Sequence, residues 1–131
     1  MDPLSAARFL VTAFFAVVFL QSAADKVLDR EGNLGFLREH FKSSPIPEVM
    51  VPTLFWTLTA LEGLAGLLCG LGVLFTDFGN GGSSIASWGL CFSGLALVSL
   101  ISGQRLAKDY AGAAVVAAYF AVVLIGLSLF G

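Results

Sequence analysis

The stretch Val51–Phe75, VPTLFWTLTALEGLAGLLCGLGVLF, holds a single formally charged residue, Glu62, near its middle. A bilayer core is spanned by about 20 apolar residues in a helix, and this run exceeds that length. It reads as a membrane span. An acid at the centre of such a span costs about 2.5–3.5 kcal/mol on insertion scales, and acids there face a bundle interior, a cavity or a ligand path. Glu62 is therefore the first candidate for a functional group.

On either side of that run, residues 6–24, 83–103 and 110–130 form three further apolar stretches separated by polar segments. Of the 131 residues 57% are hydrophobic and 12% charged, which places the chain outside the range of soluble globular domains. Backbone polar groups in lipid must pair internally, and continuous apolar runs without alternation give helices, so a β-barrel is disfavoured. The expected fold is all-α, an integral membrane four-helix bundle of one domain spanning the whole chain. Arg8 and the small residues Ser22, Ala23 and Ala24 give the first span a superficial likeness to a secretory signal. We expect it to remain in place as a helix.

Six of the seven basic residues lie in two connections, Lys26, Arg30, Arg38 and Lys42 after the first span and Arg105 and Lys108 after the third. With four spans those connections share one side. The positive-inside rule then makes both cytoplasmic and puts both termini outside, with Arg8 as the dissenting charge. A net charge of −2 argues against a nucleic-acid partner, which requires a basic face.

The polar segment 25–47 contains Leu34, Leu37 and Phe41 at helical spacing, opposed by Arg38, Glu39 and Lys42. This pattern predicts a short amphipathic helix at the membrane interface, ended by Pro45 and Pro47. A lone His40 within it reads as a polar surface residue before it reads as a ligand. Between the second and third spans, residues 77–84 are a glycine-rich turn with neither Walker nor dinucleotide spacing.

Around Glu62, the sequence Leu61-Glu62-Gly63-Leu64-Ala65-Gly66 is followed by Gly70, and the Gly66-xxx-Gly70 pair permits close approach of another helix. In a structural role Glu62 would be protonated by desolvation and donate a hydrogen bond. In a functional role it would pass a proton, bind a cation or hold a quinone head. Its candidate partners are Tyr119 in the fourth span and Gln21 or Ser22 in the first. Asp25 and Lys26, with Gln104, Arg105, Lys108 and Asp109, fall at one membrane face. They read either as snorkelling anchors or as a site for an anionic head or a quinone oxygen. Cys69 and Cys91 could share a depth and pair, but small apolar packing is the more ordinary use of a free cysteine, and no C-x-x-C motif is present. One histidine cannot make a bis-histidine haem site, and no zinc or iron-sulfur ligand set is present.

Three segments together resemble the DoxX-type family of small four-helix membrane proteins: Ala24-Asp25-Lys26-Val27-Leu28-Asp29, Leu61-Glu62-Gly63-Leu64-Ala65-Gly66-Leu67-Leu68, and Gly103-Gln104-Arg105-Leu106-Ala107-Lys108-Asp109-Tyr110-Ala111-Gly112-Ala113. The resemblance covers nearly the whole chain. It departs at Ser22-Ala23-Ala24, where many relatives carry a glycine. It implies Glu62 and Lys26 as characteristic positions without a fixed catalytic role. Some members are similar to a subunit of archaeal thiosulfate:quinone oxidoreductase, and others accompany redox or stress-response complexes.

The expectation is a bacterial inner-membrane accessory or structural subunit of a quinone-linked redox complex. It would contact membrane lipid and other membrane subunits, with no covalent cofactor and a quinone or lipid as ligand. The slight extramembrane mass and the small-residue stripe Ala113, Ala117 and Ala121 favour a subunit role. The alternatives are a quinone-reactive oxidoreductase subunit and a small proton-coupled transporter using Glu62.

Overall fold

The computed structural model describes residues 2–75, 78 and 84–130. Five α-helices account for nearly all of them: α1 (Pro3–Leu28), α2 (Arg30–His40), α3 (Val51–Phe75), α4 (Ser84–Leu106) and α5 (Tyr110–Ser128), with a 3-10 turn at Glu48–Met50 before α3. Helices α1, α3, α4 and α5 are long and apolar enough to cross a membrane. The chain is thus a multi-pass, all-α membrane bundle with a short helix between its first two spans. The glycine-rich turn expected at 77–84, including Asp77, lies almost entirely outside the described residues.

Local chemistry sets the helix ends and moves several from their expected positions. Asp2 accepts the Ser5 N–H at 2.7 Å and Pro3 occupies the first turn, so α1 begins before residue 6. It also runs past residue 24 through Asp25 and Lys26. Its 26 residues rise about 39 Å at 1.5 Å each, more than the hydrocarbon thickness, so polar residues are tolerated in its last turn. Asp29 and Asp109 cap α2 and α5 by the same device, accepting the N–H of Gly32 at 3.3 Å and of Gly112 at 2.9 Å. A Cβ at either glycine would stand 2.5 Å from the capping carboxylate.

Helix α4 continues three residues beyond its expected end at Gly103 and closes at Lys108, whose φ of 62° is left-handed. Asp109 N–H bonds the Gln104 carbonyl and Lys108 N–H bonds the Arg105 carbonyl, the paired bonds of a Schellman stop.

Helix α3 lies between α1 and α4, and α5 packs on α4 from the other side. Small residues permit both central contacts. A Cβ on Gly66 would meet Leu20 N at 2.8 Å, so the backbones of α1 and α3 approach closely at the predicted Gly66-xxx-Gly70 pair. On the opposite face of α3, Gly72 meets Ala86 and Cys69 meets Gly89. Phe15, Phe19, Phe55, Leu90, Leu97 and Val123 are fully enclosed in the core.

The alanine stripe of α5 divides: Ala113 faces the core while Ala117 and Ala121 are exposed on the outer side. Cys69 is buried beside Ser93 and Cys91 is exposed, so the two thiols point apart and are free.

Candidate functional site

Glu62 sits eleven residues into α3, about 16 Å along its axis from Val51, and only 2% of its side chain is exposed. Two groups on α1 answer it. Lys26 places its ammonium 3.0 Å from Glu62 Oε1 and donates a hydrogen bond to Ser22 Oγ at 2.7 Å, and Ser22 in turn donates to Glu62 Oε2. Ser22 and Lys26 are one helical turn apart, which puts both on the α3-facing side of α1. Oε2 accepts the hydrogen bond, and Oε1 faces the ammonium as an ion-pair contact. Glu62 thus faces Lys26 as an ion-pair partner. Lys26 bends inward, against the expectation that it would snorkel to the interface, because the carboxylate that answers it lies deeper in the bundle.

Of the other candidate partners, Gln21 is exposed and turned away. Tyr119 packs its ring against Phe14 at 5.9 Å, eight residues before Ser22 and so about 12 Å along α1 from the acid. The structure brings together Glu62, Ser22 and Lys26, and leaves Gln21 and Tyr119 outside.

Lys26 also lines a cleft of about 560 Å³ between α2, α3 and α4. Its walls are mostly apolar, with Phe55, Leu58 and Leu61 from α3 and Val98 and Leu100 from α4. Leu37 and Phe41 of the amphipathic segment form its roof, and Phe41 rests 3.2 Å from the position a Cβ would take at Gly103. The short helix therefore covers its own bundle as well as facing the interface.

The polar end of the cleft is built by His40, Gln104 and Asp109. His40 Nε2 lies 3.1 Å from Asp109 Oδ2, and its ring stacks on Phe36 and meets Phe41 edge-on. The Gly112 backbone N–H, and then His40, hold the Asp109 carboxyl below the ordinary value of 3.8. Asp109 Oδ2 and Gln104 Nε2 both crowd the Cβ position of Gly112, at 2.5 and 2.9 Å, so the three residues are contiguous. Two buried atoms at this end, Gln104 Oε1 and His40 Nδ1, have no hydrogen-bond partner. A buried polar atom is ordinarily paired, so these two are the polar groups of the cleft most open to a further partner.

The single charged cluster expected from residues 25–26 and 104–109 is not formed. Lys26 turns to Glu62, Asp25 and Lys108 point elsewhere, and Arg105 stacks on the Tyr110 ring at 5.0 Å. Charged groups at one face found other partners before they found each other. His40, read as a surface residue, is instead half-buried with a carboxylate partner. No periodicity in the sequence pairs positions 40 and 109. Among the described residues, no three His, Cys, Asp or Glu side chains converge as a metal site would require.

The opposite end of the bundle contains a group whose sequence context spoke only to topology. Arg8 is 8% exposed and donates to the Leu129 carbonyl at 2.7 Å and the Phe78 carbonyl at 3.0 Å, with its guanidinium 5.8 Å above the Phe130 ring. It clasps the start of α1 to the end of α5. The exposed carbonyls at a helix C-terminus carry partial negative charge, so a guanidinium is stabilised there without a carboxylate.

Comparison with family models, curated proteins and solved structures finds no match to this chain. The geometry and the sequence together carry the functional reading.

Proposed function

We propose that this protein is a small accessory subunit of a quinone-linked redox assembly in a bacterial inner membrane. In this reading it is DoxX-like, its two basic connections face the cytoplasm, and its own contribution is a binding site for an amphiphilic ligand. The cleft between α2, α3 and α4 carries this reading, because it joins apolar walls to a small set of polar groups at one end. That combination suits a molecule with an oily body and a polar head.

The Lys26–Ser22–Glu62 chain supports the reading from beside the cleft. It keeps a cation at the cleft wall by neutralising it with a buried acid, so the lining can present a strong donor without an uncompensated charge. The small-residue outer face of α5, with Ala117 and Ala121 exposed, supports contact with a neighbouring subunit.

Extraction in mild detergent from the native membrane, followed by mass spectrometry of proteins and solvent-extracted lipids, tests the proposal. We expect a redox protein and a quinoid lipid in near-stoichiometric amounts. A chain that migrates alone and carries only bulk phospholipid would overturn it.

A further inference from the structure

The cleft is roofed at the end of the bundle and open on its flank. Leu37 and Phe41 cover it from α2, and both are half-buried there. On the flank, Leu54 of α3 and Val98 and Leu106 of α4 line the same cleft and are 36%, 45% and 44% exposed. A mouth rimmed by leucine and valine on two membrane-crossing helices opens on acyl chains rather than on water.

A second depression adjoins that mouth. Thr53, Trp56, Thr57, Ala60, Leu61 and Leu64 recur at helical spacing on the outer face of α3 and line a shallow groove there. Thr57 and Leu61 line the cleft as well, so they form the ridge between the two spaces, and the small side chain at Thr57 keeps that ridge low. From Thr53 to Leu64 the groove runs about 16 Å along the helix axis, close to half of a hydrocarbon core about 30 Å thick. It starts at the end of the bundle where His40, Gln104 and Asp109 stand, since α3 begins where the antiparallel α4 ends.

We propose that the cleft is loaded sideways from the bilayer, and that the groove on α3 seats the hydrocarbon tail of the ligand whose polar head lies in the cleft. The tail crosses at Thr57 and descends past Ala60 toward the midplane. This rests on the reading of the cleft as a ligand site and adds the route into it and the seat of the tail. The groove is built on one helix face and takes one chain. An alkylquinone and a monoacylglycerol share that form, a compact polar head on a single tail.

Photolabelling of the full chain in nanodiscs tests this with an alkylquinone and a monoacylglycerol, each carrying a diazirine at mid-tail, followed by peptide mapping. Chance contact with lipid labels every outward helix face and is not displaced. Labelling between Thr53 and Leu64 should instead fall about fivefold or more when the same lipid without diazirine is added in excess, and the head that shows this names the source of the ligand. Thr57→Trp raises the ridge and Ala60→Trp fills the groove. Each should weaken the displaceable labelling about tenfold, whereas Ala121→Trp on the outer face of α5 should leave it unchanged. All three side chains are exposed, so the bundle accommodates the changes. Displaceable labelling that falls on α2 or α5, or that survives both α3 substitutions, would overturn the lateral route while leaving the cleft as a ligand site. No displaceable labelling with either head would overturn the reading of the cleft as well.

Discussion

The two ends of this bundle handle buried polarity in opposite ways. At one end Arg8 is enclosed, and two of its donors are taken by the Leu129 and Phe78 carbonyls with Phe130 laid beneath it. At the other end Lys26 and Glu62 form an ion pair beside a cleft that Gln104 and His40 line with polar atoms not bonded within the protein. The first end is a finished fastening. The second holds a charge pair for position and lines a cleft with polar atoms. A burial penalty retained in one place and removed in another separates a structural contact from a site shaped for something else.

The contrast is most exposed to challenge at the ion pair. Lys26→Met would leave Glu62 buried without a counter-charge, and loss of about 3–5 kcal/mol is expected. The measurement is the unfolding midpoint in a denaturing-detergent titration. Lys26→Met combined with Glu62→Leu should recover most of the loss, and a double variant as unstable as the single one would show that the pair is not the cause.

At the fastened end, Arg8→Met strands two carbonyls, and about 2–3 kcal/mol should be lost in the same titration. Binding in the cleft should be unchanged, because the guanidinium is at the opposite end of α1. A fall in ligand affinity would show that the two ends are coupled and that the division between them is drawn too sharply.

The smallest effect concerns Asp109, a partly exposed group. Its carboxyl is held low by the Gly112 N–H and then His40, so its stabilising contribution is complete above the ordinary value of 3.8 and is lost as pH falls through its lower folded value. Unfolding midpoints recorded on acidification below 3.8 should drop more steeply for the parent than for Asp109→Asn. Parallel curves would remove Asp109 from the account of the polar end.

Much of the architecture is legible in the amino-acid sequence. Apolar runs long enough to span lipid, the Gly66-xxx-Gly70 contact and the amphipathic repeat of Leu34, Leu37 and Phe41 all follow from local pattern, and the helices form where that pattern places them. Helix ends differ by a few residues, because caps such as Asp2 and the left-handed Lys108 act over one turn and override hydropathy. The site is legible only in its members. Glu62 and Lys26 stand out separately, but Gln21 and Ser22 are indistinguishable as partners until the facing of α1 puts one toward the acid and the other away from it.

Four membrane-crossing helices, and an acid to be accommodated among them, follow from the linear chain, since lipid forbids unpaired backbone and isolated charge wherever they occur. That Lys26 answers Glu62, that His40 reaches Asp109, and that Arg8 closes on the end of α5 came instead from the folded bundle. Each of these pairs joins residues far apart in the chain. Their meeting depends on helix rotation and close approach at the glycines, which side-chain packing fixes and linear pattern does not record.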